Sequence, residues 1–339
     1  MLLNELNEFK SGVTYPDGYP HDRALDDLRR RAVGAQPFVL DRDATGMAAS
    51  VALSKPSSIH AALNWVKLPF NTTWIEFSNS DLRQAMTDLG SPNVRPPHTQ
   101  TIIERSGFLI QQKENRLVLE YIHADKTPDG RRLVDLAPVI GWYTLPDDFE
   151  KPERVSPLTG DVPNAQGRVR QHLALITNDA DEFGADFDLR VRFNWAPHPD
   201  MDRVRSNVVR LMGDEKVREL EQLQANEMYR LFALQILPAL ILLNCRNAVD
   251  VEDVQVSAKL NKARISKGKP PLVEHKIVHM RLAPERRQAS NKKPTSGTRI
   301  ARGTLVMGHF KVRKSGVYWW SPHARRGYGA VTRTTILTR

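Results

Sequence analysis

The sequence has a single cysteine, Cys245, which excludes an intramolecular disulfide and any cysteine-only metal site. Cys245 closes the apolar run 240–243 with Asn244, a setting that predicts a buried, inert thiol, because a reactive thiolate needs an exposed, electropositive environment. Long hydrophobic runs are also missing. The longest, 231–243, is interrupted by Gln235 and Pro238 and falls short of the roughly 20 residues that span a bilayer. The first residues, MLLNELNEF, are acidic where a secretory signal would be basic. Together these absences predict a cytoplasmic protein with no membrane partner. There is no P-loop, no dinucleotide fingerprint, no Gly-x-Ser-x-Gly elbow and no carboxylate pair at metal-nuclease spacing, so neither a cofactor nor a metal is expected.

Carboxylates are scarce in one part of the chain. Residues 257–339 hold 20 lysines and arginines against Glu274 and Glu285 alone, while residues 1–256 hold 29 against 37. The overall net charge of +10 is therefore divided into +18 and −8. Such a segment repels itself unless a polyanion or an acidic surface offsets it, and a phosphate backbone does so with release of condensed counterions. The division predicts an acidic domain over 1–256 and a basic nucleic-acid-binding module over 257–339.

The local patterns predict an α+β fold: a β-rich N-terminal domain closed by a long helix, then a small basic C-terminal module containing a β-hairpin. Short, often alternating apolar runs predict strands over 47–53, 61–67, 72–77, 102–111 and 116–123, the last two joined at Lys113-Glu114-Asn115. Further strands are expected over 171–179 and 185–195. Helices are expected over 22–32 and 81–89, the second capped by Asn79 or Ser80, and most clearly over 214–244, with Pro238 kinking or dividing it. Turns at 16–20 and loops over 146–170 and 286–302 complete the outline. On the strand 72–77, Trp74 and Glu76 share one face. Glu76 there reads as a strand-face carboxylate at a sheet rim, with a catalytic role as the alternative.

The basic quarter carries two patterns with binding chemistry. The run 259–271 predicts a short helix stopped by Gly268 and Pro270, with Lys259, Lys262 and Lys269 near one side and Arg264 and Lys267 flanking. Strands over 303–313 and 317–322 joined by Lys314-Ser315-Gly316 then interleave aromatic and cationic side chains, a pattern suited to phosphates and to unpaired bases that stack on rings. Alternation puts Tyr318 and Trp320 on one face and Trp319 on the other. The predicted nucleic-acid-binding set is Lys259, Lys262, Arg264, Lys267, Lys269, His309, Lys311, Arg313, Lys314, Tyr318, Trp319, Arg325 and Arg326. A bland alternative makes Phe310, Tyr318 and Trp320 the small core of the hairpin. His275 and His279 could share one side of a strand, but too few acids accompany them to suggest a metal site.

The motifs Leu260-Asn261-Lys262-Ala263-Arg264, Gly268-Lys269-Pro270-Pro271-Leu272, Gly308-His309-Phe310-Lys311 and Tyr318-Trp319-Trp320-Ser321-Pro322-His323 resemble the C-terminal portion of proteins from bacteriophages, prophages and other bacterial mobile elements, a group with no established activity. Leu68-Pro69-Phe70 and Thr73–Phe77 look similar to their N-terminal part. Val306-Met307 stands where that group has an arginine pair. The resemblance implies a mobile-element origin and a bacterial cytoplasm. The function expected is a nucleic-acid-binding regulatory or accessory protein, acting on DNA or RNA. Two alternatives are an inhibitor of a host protein or a virion interaction protein, and a metal-independent ribonuclease using His309 and His323 with Arg325 as catalytic candidates.

Overall fold

The computed structural model describes residues 1–8, 21–88, 102–126, 132–145, 193–281, 304–306, 308–321 and 323–325. The fold is α+β. Its body is an eight-stranded mixed sheet of β1 (Gln36–Leu40), β2 (Thr72–Ser78), β3 (Ile102–Lys113), β4 (Arg116–Lys126), β5 (Arg132–Thr144), β6 (Phe193–Pro197), β7 (Val249–Val254) and β8 (His275–Met280). The spatial order is β6-β5-β4-β3-β2-β1-β8-β7. β2, β1 and β8, next to the β7 edge, run parallel, and every other pairing is antiparallel. The expected turns at 16–20, loops over 146–170 and 286–302, strand over 171–179 and most of that over 185–195 lie outside the described residues.

Alternation on β2 sorts the core into two layers. Ile75 and Phe77 join one apolar cluster and Trp74 the other. The larger cluster packs the sheet against α3 (Arg42–Ser54), α4 (Pro56–Ala62), α5 (Asn79–Asp88) and the helical run 214–244. The smaller packs the opposite face against α1 (Leu2–Glu8) and α2 (His21–Ala32). The predicted helix over 22–32 and the strands over 72–77, 102–111 and 116–123 are present, and Glu114 turns the β3–β4 hairpin at φ 54. Helix α5 is capped one residue earlier than expected, Ser78 Oγ accepting the Asp81 N–H at 3.3 Å.

Two predicted strands are helices. Residues 47–53 fall in α3 and 61–62 in α4. The alanine-rich 44–52 stretch is buried against both sheet and helices, so a helix with small residues facing several neighbours mimics an apolar strand. The strand β1 was not expected from the sequence.

The run 214–244 is continuous: α7 (Asp214–Leu231), a π turn at Phe232–Ile236, and α8 (Leu237–Asn244). It follows α6 (Asp202–Met212). Pro238 does not divide it, because the wider π turn ends just before the proline, where its ring and missing N–H would disturb an α pattern. By length and composition this run could cross a membrane, but 78% of its apolar window is buried inside the fold.

The charge boundary at 256/257 falls between two paired strands. β8 lies beyond it yet pairs with β7 and β1 inside the main sheet. The hairpin β10 (His309–Arg313) and β11 (Gly316–Trp320) sends Phe310, Val317 and Trp319 into the larger core cluster. A short pair, β9 (Thr304–Val306) with β12 (His323–Arg325), flanks it in sequence. Among the described residues the basic quarter is therefore not a separate body.

Candidate nucleic-acid-binding surfaces

The first cationic surface is helix α9 (Ala258–Ser266) and the turn after it. Its end is closed by two reversed bonds: Gly268 N–H to Ile265 O at 2.9 Å and Lys269 N–H to Arg264 O at 3.0 Å, with Gly268 at φ +66. This left-handed cap is open to glycine at no steric penalty. The returning Pro270–Leu272 segment is clamped back onto the helix. The Asn261 amide accepts from Leu272 N–H at 2.8 Å and donates to Leu272 O at 3.1 Å, and Arg264 Nε donates to Pro270 O at 3.0 Å. Arg264 also pairs with Glu8 of α1, and Asn4 Oδ1 accepts the Val273 N–H at 3.0 Å. Asn261 and Arg264 thus face inward. Lys259, Lys262, Lys267 and Lys269 are exposed, and none makes an ion pair among the described residues.

The second surface is the outer face of the β10–β11 hairpin. Register sets His309 opposite Trp320, Lys311 opposite Tyr318 and Arg313 opposite Gly316, all on one face, while Phe310 and Trp319 point into the core. Lys311 Nζ lies 4.0 Å from the Trp320 ring centroid, Arg313 Cζ 5.7 Å from that of Tyr318, and the His309 and Trp320 rings are 5.8 Å apart. Trp320 is 39% exposed. The hydrogen bond from Ser315, with Arg246 and Arg313 close by, draws the Tyr318 phenol below its ordinary pKa. The hairpin is anchored by Asn247, whose amide accepts from Trp319 N–H and donates to Trp319 O, each at 2.9 Å.

Several expectations need correction. Trp319, placed in the predicted binding set, is 3% exposed and packs edge-on to Phe310 at 5.4 Å. The core of the hairpin is Phe310 with Val317 and Trp319, while Tyr318 and Trp320 face outward. Arg264 is tied to Glu8 and Pro270, which makes it a structural clamp rather than a free cation. His309 stands on β10, His323 and Arg325 on β12 opposite Val306 and Thr304, and Arg326 lies outside the described residues.

Other basic residues beyond 256 are already matched by β7, an acidic edge strand. Lys276 pairs with Asp253, and Arg281 Nε donates to Asp250 at 2.9 Å. His279 bridges Asp41 at 2.8 Å and Glu252 at 3.1 Å, and Asp41 also caps α3 by accepting the Ala44 N–H. A carboxylate on each ring nitrogen favours the protonated form of His279. The Asp41 bond chiefly, and then Glu252, raise its pKa. The stabilisation is therefore complete below the unfolded value of about 6.5 and is lost as pH rises through the raised folded value. The urea midpoint of the wild type should fall over that window more than that of His279→Gln. Equal falls would show that the bridge contributes nothing to stability. Buried His123, also raised, supplies a component of the same sign to both proteins.

Sequence reasoning missed the buried polar groups of the smaller layer. Glu120, His198 and Asp200 bring ligand atoms within 4.8 Å of one another, the one such grouping among the described residues. Asp200 N–H donates to His198 Nδ1 at 3.2 Å, which leaves Nε2 as donor to Glu120 Oε2 at 3.0 Å. Arg31 meets Glu120 with two nitrogens and Asp200 with a third at 2.8 Å. Burial opposes the charge of Glu120, but the bonds from His198 and Arg31 hold its pKa below the usual range. The guanidinium occupies the place of a cation and both histidine nitrogens are engaged, so the set does not fit a metal. Glu76 is not at a rim. It is fully buried at the sheet centre, accepting from Leu2 N–H, Leu3 N–H, Trp74 Nε1 and Arg105. No local pattern announces these partners, which are up to 169 residues apart in sequence.

No protein-family model, curated protein or solved structure matches this chain.

Proposed function

We propose that the protein binds nucleic acid through the outer face of its C-terminal hairpin, as a regulatory or accessory factor of a mobile element in the bacterial cytoplasm. One observation carries the reading. His309, Lys311, Arg313, Tyr318 and Trp320 form a single outward face of alternating cations and rings, without a carboxylate partner for Lys311 or Arg313 among the described residues. Arg246 extends this face beside Tyr318. Cations there meet phosphates, and the partly exposed Trp320 ring offers a stacking surface to an unpaired base. A fixed two-stranded platform with rings on it favours single-stranded or flexible nucleic acid.

The test is fluorescence anisotropy with unstructured DNA and RNA oligonucleotides over a salt series. Trp320→Ala should weaken binding by about 1–3 kcal/mol, the usual worth of one base stacked on a ring. Lys311→Ala with Arg313→Ala should flatten the log–log salt slope by about 0.7 for each single-strand phosphate that is no longer neutralised. Binding of all variants as tightly as the wild type would overturn the proposal.

A further inference from the structure

The geometry points to a protein that holds two nucleic-acid segments at once, one on each side of its sheet. This rests on the nucleic-acid reading of the hairpin and extends it to α9. The hairpin is built into the layer that contains Ile75 and Phe77, through Phe310, Val317 and Trp319. The α9 turn is built onto the other layer: Arg264 pairs with Glu8 of α1, Val273 bonds Asn4, and Val273 packs against the cluster containing Trp74. Neighbouring residues of β2 point to opposite faces, so the two cationic surfaces belong to opposite sides of one rigid sheet.

The helix is shaped for a phosphate backbone. At about 100° per residue, Asn261 and Arg264 share the side that is clamped. Lys259, Lys262, Ala263 and Ser266 share the side away from it, so the two neighbouring cations are followed by small side chains that let a backbone come close. Buried residues are absent from α9, and its form is kept by the Asn261 clamp and the glycine cap rather than by a core. Its lysines therefore have no structural duty that would explain them.

A single strand is badly placed to cover both surfaces. The chain segment joining them is β7, preceded by the hairpin anchors Arg246 and Asn247 and followed by α9. β7 is the sheet edge, and it exposes Asp250, Glu252 and Asp253. A polyanion passing round that edge would find its nearby cations, Arg281, His279 and Lys276, already taken up by Asp250, Glu252 and Asp253, with none left for a phosphate.

The experiment uses the full chain and a short unstructured oligonucleotide. Native mass spectrometry should count two oligonucleotides per chain, and donor- and acceptor-labelled copies should show energy transfer when mixed with protein. Lys259→Ala with Lys262→Ala should reduce the count to one and abolish the transfer. So should Lys311→Ala with Arg313→Ala. All four side chains lack ion-pair partners among the described residues, so folding is retained, checked by an unchanged melting temperature. One oligonucleotide per wild-type chain, lost only in the hairpin variant, would overturn bridging and leave the hairpin reading standing. A hairpin variant that still binds two would overturn both. A count of two unchanged by the helix variant would remove α9 from the proposal.

Discussion

Glu76→Ala is expected to destabilise the fold by about 3–5 kcal/mol, the range found when one partner of a buried charge pair is removed. The carboxylate is fully buried and receives four donors: two backbone N–H groups of α1 at 3.1 and 3.2 Å, the Trp74 indole at 2.9 Å and Arg105 at 2.7 Å. Alanine leaves those donors without an acceptor inside the sheet. The loss reaches α1, because Leu2, Leu3 and Leu6 are seated in the smaller core cluster over the same carboxylate. Gly107, opposite Glu76 in register, allows this seat: a Cβ there would lie 2.7 Å from the Trp74 ring and 3.0 Å from Leu2. A urea titration should show a midpoint well below wild type. Amide exchange should show early loss of protection in α1. A midpoint within error of wild type would mean that Glu76 is not the anchor.

Trp319→Ala should cost a similar amount, about 3–5 kcal/mol for a large aromatic removed from a core. The adjacent Trp320→Ala should change stability little, since Trp320 is 39% exposed against 3% for Trp319. The effects on stability and binding should run together only for the first. Loss of Trp319 undocks the hairpin and with it the outward face, whereas loss of Trp320 removes one ring from an intact platform. Thermal melts of the two variants, paired with their anisotropy titrations, check this. Comparable melting temperatures would contradict the assignment of inner and outer faces.

The reading of adjacent tryptophans by strand alternation needed only the period of two, and it placed Tyr318 and Trp320 together correctly. The α+β class, the β3–β4 hairpin and the helix over 214–244 were legible for the same reason: their periodicities are local. The failures were also physical. α3 buries small residues against several neighbours, so its composition carries no clean helical stripe. The anchor of the hairpin, Asn247, is 72 residues from its partner in sequence, and the Arg31 network spans up to 169. Net charge gave the correct sum for the last quarter but not its disposition. Lys276 and Arg281 are answered by β7, Arg264 by Glu8, while the α9 lysines and the hairpin cations remain outward. The spacing of Asn261, Arg264, Gly268 and Leu272 has a reason that no charge count reveals, since those residues build the clamp.

The acidic edge has a further consequence for crowding among copies of the chain. An exposed terminal strand is a template for another molecule's strand, and inward or flanking charges blunt it. Were a second copy to add its own β7 to this one, two strands rich in carboxylates would be brought side by side, their cationic partners Arg281, His279 and Lys276 lying on β8 or just after it. Charged side chains thereby blunt an edge that hydrogen bonding alone would leave open to growth.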